Sequence, residues 1–336
     1  MAQIDFTKPI DNPELIALLC ITRGRPEKLV QSVEAAAKKA ADPANLDMWV
    51  YVDDDDAATR ELIDSKWDQT IAFRINWLVL QRPRMLGEGF NELWRRSSNA
   101  SLYMGFPDDY TVVTQNWDAE IRNTMCDKSA NDLALGYLCD PLEPNSTVTI
   151  MVETAKWANF TGQFLIPYFP FWYGDVWLQQ IADMLDRRYY IDVGMLPIDA
   201  SNKKTQNMWD LYFWRRFFQI LLLERIDTAQ NMLDHIHPPN SPTREGAIRH
   251  MKHTIDKIES HVKRVPNKIL NAIEARNSDE TGPPSERYLE ALQWAKNHLR
   301  EMAPQIKKYN TARTLRSKIR LLTAEVVAIN HDKIIS

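Results

Sequence analysis

Two apolar runs in this chain end in clustered carboxylates. One is Met48-Trp-Val-Tyr-Val-Asp53-Asp54-Asp55-Asp56, the other Ser101-Leu-Tyr-Met-Gly-Phe-Pro107-Asp108-Asp109-Tyr110. Paired carboxylates suit a hard divalent ion, which takes oxygen ligands and commonly combines one or two Asp or Glu with phosphate oxygens and water. A third motif, Trp172-Tyr173-Gly174-Asp175-Val176-Trp177, sets a single acid among aromatics. These residue types predict a metal-dependent enzyme that works on a nucleotide-linked substrate.

The segments around them read as alternating strands and helices. Leu15–Ile21 is a continuous apolar run, expected of a strand buried on both faces. It ends in Thr22-Arg23-Gly24-Arg25-Pro26, where Pro suits the first turn of a helix running to Lys39. Trp49–Val52, Phe73–Leu80 and Ser101–Met104 are further strands, and Glu88–Ser98 is a helix. Such alternation predicts a mainly parallel sheet flanked by helices, whose ligands bind beyond the carboxyl ends of the strands. Both acidic clusters lie at such ends.

From about Trp209 the pattern becomes helical. Tyr288, Leu292, Ala295, Leu299 and Met302 form one apolar stripe, and Pro238-Pro239 and Gly282-Pro-Pro284 mark breaks. Residues 1–215 are expected to form the catalytic domain, and 216–336 a helical extension. The chain has 336 residues and 44% hydrophobic content, enough for one large core or two modest ones. Its net charge of −4 is unevenly spread: the first 243 residues carry −11 and residues 244–320 carry +8. Three cysteines (Cys20, Cys126, Cys139) without metal spacing, an N-terminus unlike a signal peptide and no long apolar run make the cytoplasm the expected compartment.

Taken in order, strand-Thr22-Arg-Gly-Arg-Pro26, Val52-Asp-Asp-Asp-Asp56, Pro107-Asp-Asp109 with Asn116-Trp-Asp118, and Gly174-Asp-Val-Trp177 resemble nucleotide-sugar glycosyltransferases of the A-type fold, closest to the large inverting family two. The resemblance covers roughly Leu15–Tyr212. It implies that Thr22, Arg23 and Arg25 meet the nucleotide, and that Asp53, with Asp54 and Asp55, contacts base and ribose. It makes Asp108 and Asp109 the metal-binding pair, with Asp109 the direct ligand of Mn²⁺ or Mg²⁺. Asp175 falls at the general base. Trp172, Tyr173 and Trp177 would wall the sugar or acceptor subsite. UDP is the commonest donor nucleotide of the resembled group.

The chain also departs from that pattern. Pro107 stands where related sequences more often have Gly. No His follows the base-bearing helix within Ile191–Ala200, so Asp199 is expected as a second metal ligand, with His235 and His237 as the other way to complete the site. The loop Arg82-Pro-Arg84-Met-Leu-Gly87 is a weaker expectation for the donor pocket, and Lys203 and Lys204 could close over a diphosphate. The acceptor is a hydroxyl, and the basic C-terminal segment suits a polyanion, for instance a modified nucleic-acid base. Two other functions fit the acidic pairs. A nucleotidyltransferase would want a better phosphate loop than Thr22-Arg-Gly-Arg25, and a non-catalytic sugar-nucleotide-binding protein would explain the missing His.

Overall fold

The computed structural model describes residues 8–129, 133–139, 150–198, 211–264 and 284–308. The strands are β1 (Asn12–Thr22), β2 (Leu46–Asp53), β3 (Arg74–Leu80), β4 (Ala100–Gly105), β5 (Tyr110–Val112), β6 (Leu135–Cys139), β7 (Met151–Thr154) and β8 (Arg188–Pro197). They form one sheet in the order β3-β2-β1-β4-β7-β6-β8-β5. β3, β2, β1 and β4 pair in parallel, as do β6 and β8. β7 runs antiparallel between β4 and β6, and β5 closes one edge antiparallel to β8. The expected α/β architecture, a mainly parallel sheet flanked by helices with a helical C-terminal part, is the one observed.

Helices cover both faces. They are α1 (Pro26–Lys39), α2 (Ala57–Asp64), α3 (Leu86–Arg96), α4 (Trp117–Ser129), α5 (Ala155–Thr161), α6 (Gly174–Leu185), α7 (Leu211–Ile220), α8 (Leu222–Ile236), α9 (Arg244–Arg264) and α10 (286–308). Successive strand residues point to opposite faces. In β1, Ala17 and Leu19 therefore enter one apolar core, while Ile16, Leu18 and Cys20 enter the other. Burial on both faces is why β1 reads as an unbroken apolar run.

The C-terminal helices do not stand apart from the sheet. Trp214, Phe217, Ala229, Met232, Tyr288, Ala291 and Ala295 are buried in the core that also holds Tyr103 and Leu135 of the sheet and Trp94 of α3. Of the predicted stripe, Tyr288, Ala295 and Met302 are buried, and Leu292 and Leu299 pack against the same core. Arg225 of α8 lies under α6. Its guanidinium faces the rings of Trp177 and Phe218 and donates from Nε to Gln180 and from Nη1 to the Phe218 carbonyl. The helix that carries Asp175 is thus held from behind. No described helix is long and apolar enough to cross a membrane.

Candidate active site

The order β2-β1-β4 places the end of β1 between the two acidic clusters. Gly24 then turns the chain with φ +63°, a conformation that favours glycine, and its N–H donates to Asp56 at 2.7 Å. The turn sends its two arginines apart. Arg23 reaches the end of β2, donating to Asp53 at 2.8 Å and pairing with Asp55. Arg25 reaches the loop after β4, donating from Nη2 to Asp108 and from Nη1 to Asp109, each at 2.6 Å. Thr22 adds a 2.7 Å hydrogen bond from Oγ1 to Asp108. Pro26 opens α1 directly after Arg25, whose guanidinium has only donors to offer and spends them on the loop.

Burial and pairing set the acidities. Asp53 and Asp108 are almost wholly buried. Desolvation raises both pKa values, against the opposing pull of Arg23 on Asp53 and of Arg25 on Asp108, and that of Asp108 is pushed up to about 6. Asp55, on the rim, is lowered by its bond to Arg23. Asp53 Oδ1 and Arg25 Nε are buried and make no hydrogen bond among the described residues. Polar atoms left unspent in this way are costly unless a ligand uses them.

A cavity of about 380 Å³ opens beside these groups. Thr22, Arg23, Arg25 and Asp53 line it together with Pro170, Phe171, Trp172 and Asp175. Asp175 occupies the second position of α6, after Tyr173 at φ +76°. Burial raises its pKa, with the N–H of Val176 working the other way. The floor is apolar, formed by Leu86, Phe90, Phe106 and Leu165.

The sequence-predicted residues do not all converge. Thr22, Arg23, Arg25, Asp53, Trp172 and Asp175 line the cavity. Asp108 and Asp109 sit behind Arg25. Asp54 and Asp55 are on the solvent side, and Asp56 caps α2 by accepting from Thr59 N. Trp177, expected as a subsite wall, is instead 3% exposed in the core, because α6 turns it toward Arg225 and Tyr168. Tyr173 stacks on Phe218 with ring centroids 5.0 Å apart. His235 packs on Phe160, and His237 Nδ1 lies 2.8 Å from Thr243 Oγ1, so both rings are engaged in the helical region. Asp199, Lys203, Lys204 and Trp209 lie outside the described residues.

The loop at Arg82 carries more of the site than its sequence suggests, since Arg82, Pro83 and Leu86 all line the cavity. Two supporting residues gave no sequence signal. Asn91 of α3 accepts from the N–H groups of Phe164 and Leu165, each at 2.9 Å, and donates to the Leu165 carbonyl at 2.8 Å. Gly87 lets α3 approach the same segment, for a Cβ there would lie 2.5 Å from the Ile166 carbonyl oxygen.

Among the described residues no group of three or more His, Cys, Asp or Glu gathers as a metal cage. Asp109 nevertheless has the right donor chemistry. It is one-third exposed, spends Oδ2 on Arg25, and its Oδ1 makes no hydrogen bond among the described residues. A hard oxygen of this kind suits Mn²⁺ or Mg²⁺ when phosphate oxygens supply further ligands.

No family model and no curated protein matches the sequence. Among solved structures, the chain is similar to S. aureus TarS 1-349 in complex with UDP-GlcNAc, at 8% identity and TM-score 0.48, covering 71% of this chain and 72% of that one. It is similar to the mannosyltransferase PcManGT from Pyrobaculum calidifontis in complex with GDP-Man and Mn²⁺, at 11% identity and TM-score 0.47, covering 82% and 83%. GalNAc-T7 with UDP, GalNAc and Mn²⁺ aligns at 9% identity and TM-score 0.47, covering 71% of this chain and 55% of that one. At such identities and scores, the chemistry has to be argued from the side chains themselves.

Proposed function

We propose that the protein is a glycosyltransferase that moves a sugar from a nucleotide-sugar donor, with UDP the first nucleotide to test, to a hydroxyl acceptor. One observation carries this reading. A single cavity at the strand ends is lined both by guanidinium groups with a buried carboxylate and by an isolated carboxylate with aromatic rings. The first set suits a nucleoside diphosphate, and the second suits a sugar and an attacking alcohol.

In the proposed reaction Asp175 accepts the proton of the acceptor hydroxyl as that oxygen bonds to the anomeric carbon. The bond from that carbon to the diphosphate oxygen breaks, and its electron pair leaves with the nucleotide. Charge spreads onto the ring in an oxocarbenium-like state, as in glycoside hydrolysis. A single displacement of this kind inverts the anomeric centre. Arg23 and Arg25 offer charge-assisted hydrogen bonds to the leaving diphosphate, and Asp53 Oδ1 is a free acceptor for a ribose or base donor. Asp109 and Asp199 would hold the Mn²⁺ or Mg²⁺, which supplies neutralisation of charge developing on the leaving group.

The test is a thermal-shift panel of UDP, GDP, CDP, TDP and their common sugars, with and without Mn²⁺. A ligand specific to the folded state raises stability by mass action, by about 2.7 kcal/mol at a hundredfold excess over its dissociation constant. A metal-enhanced shift with one nucleotide is expected. Silence across the whole panel would remove the donor reading.

A further inference from the structure

A second cavity, of about 530 Å³, is lined by α6, α8 and residues from 160 to 168. Trp177, Leu178 and Ile181 of α6 contribute to it, whereas Asp175 at the start of the same helix lines the candidate active site. Its deeply buried lining is apolar: Ile166, Tyr168, Trp177, Leu178 and Ile181 are each at most 7% exposed. Much of its polar lining comes from one stripe of α8. Glu224, Thr228 and Asn231 are spaced i, i+4 and i+7, which puts them on one face, and Asp234 follows a turn later. That face is separate from the one α8 buries, which carries Arg225, Ala229, Met232 and Leu233. A cavity of this volume, with an apolar wall and a few convergent polar groups, is the usual form of a small-molecule site.

The lining groups decide what fits. Among the described residues no Lys or Arg lines the cavity and two carboxylates do, so a phosphate or other anion would meet Coulomb repulsion. Nor does the site present bare charges to a cation. Glu224 already faces His298 Nε2 at 2.7 Å, and Asp234 accepts from Arg244 Nη2 at 2.6 Å and from Gln230 Nε2 at 3.0 Å. An ionised carboxylate has about four lone-pair positions, so each keeps acceptor capacity after these contacts. The side-chain amides of Gln163 and Asn231 make no hydrogen bond among the described residues, and an amide offers both donors and an acceptor. Thr161 and Thr228 donate to backbone carbonyls, at 2.7 Å to Gln163 and at 2.9 Å to Glu224, which leaves both hydroxyl oxygens to accept. Donors and acceptors are therefore mixed, with their charges already compensated, beside an apolar wall. A sugar ring matches that set, because each hydroxyl both donates and accepts while the C–H face is apolar.

We infer that this cavity is a second ligand site, and that it binds a neutral saccharide. The stripe on α8 and the amides of Gln163 and Asn231 take the hydroxyls, and the apolar wall takes the C–H face of a ring. The inference goes beyond the proposed transfer reaction. It is read from this cavity's own lining, and stands whether or not the first cavity takes a nucleotide.

The test is saturation-transfer NMR on the full chain, with maltose, cellobiose, lactose, chitobiose and mannobiose as probes and spermidine as a cationic comparison. Transfer to at least one disaccharide is expected. The variants are Asn231→Leu and Gln163→Leu, with Phe171→Ala in the first cavity for comparison. Losing an amide's hydrogen bonds to the ligand should weaken binding by about tenfold, so the signal should collapse in the first two variants. Phe171→Ala should bind the disaccharide as the wild type does. The ligand-free melting temperature of Asn231→Leu should not fall, because Asn231 is exposed and its amide has no hydrogen bond to lose, and this separates a binding defect from misfolding. Disaccharide binding that survives both leucine variants, or that only Phe171→Ala abolishes, would overturn the inference and place the sugar elsewhere. Transfer to none of the disaccharides, or to spermidine alone, would overturn it too, and neither result bears on nucleotide binding in the first cavity.

Discussion

Asp108 Oδ1 accepts a 2.6 Å hydrogen bond from Arg25 Nη2, although its carboxyl remains hard to ionise because it is almost fully buried. The pair joins the turn after β1 to the loop after β4, two segments whose relative position sets the depth of the cavity. Removing one partner of a buried pair leaves an uncompensated group, so Arg25→Met should cost about 3 kcal/mol in urea unfolding. Adding Asp108→Asn to that variant should recover part of the loss, since the amide carries no charge to strand. Strict additivity of the two changes would show that the contact contributes nothing to the fold.

Asp175 makes a sharper prediction about chemistry. Asp175→Asn should lower turnover by about 10²- to 10⁴-fold while nucleotide affinity stays within about twofold of wild type. The group must be ionised to accept a proton, and burial raises its pKa. The rate should therefore fall on acidification, beginning at a higher pH than an ordinary carboxylate near about 3.9 would give. Loss of nucleotide binding in the variant, with turnover and binding falling in parallel, would place Asp175 among the donor contacts.

Local signals made the strands and the site-bearing turn legible. Leu15–Ile21 has to be a strand buried on both faces, and Pro26 marks the start of α1 where the structure puts it. Asp53 stands out as a carboxylate closing an apolar strand, whereas Thr22, Arg23, Arg25 and Asp175 take their site roles from the family resemblance; all five line the cavity. What stayed hidden depends on contacts distant in sequence. Asn91 looks like a surface polar residue until Phe164 and Leu165 arrive beside it. Trp177 misled for a related reason: its neighbours suggested a sugar platform, while the helical phase of α6 turned it into the core.

Gly87 illustrates how packing reverses a local preference. In an isolated helix Ala is better than Gly by about 1 kcal/mol. A Cβ at Gly87 would meet the backbone carbonyl of Ile166 at 2.5 Å, and backbone moves less readily than a side-chain tip. Gly87→Ala should therefore lose about 1–3 kcal/mol, the usual range for overpacking, and weaken nucleotide binding through the displaced wall at Leu165. A Cβ added at Gly246 in α9 would meet nothing within 4 Å, so Gly246→Ala should gain about 0.5–1 kcal/mol. Equal effects at the two sites would mean that the 165–166 segment yields freely.

Glu153 of β7 is wholly buried, and both its carboxylate oxygens lack a hydrogen-bond partner among the described residues. Its cross-strand neighbours are Tyr103 on β4 and Leu135 on β6, neither placed to compensate a charge. Burial raises its pKa well above the ordinary glutamate value, so the folded state holds the proton more tightly than the unfolded chain does. Stability from this group is then greatest below the unfolded value of about 4.3. It declines as pH rises from there to the folded value, then levels off. Glu153→Met removes the titrating group and the unpartnered oxygens together. It should raise stability at neutral pH by about 1–3 kcal/mol, with a smaller gain near about pH 5. Urea unfolding at the two pH values checks the sign. A variant less stable than wild type at both would mean that the carboxyl has a partner in solution, such as a buried water, and that the strand depends on it.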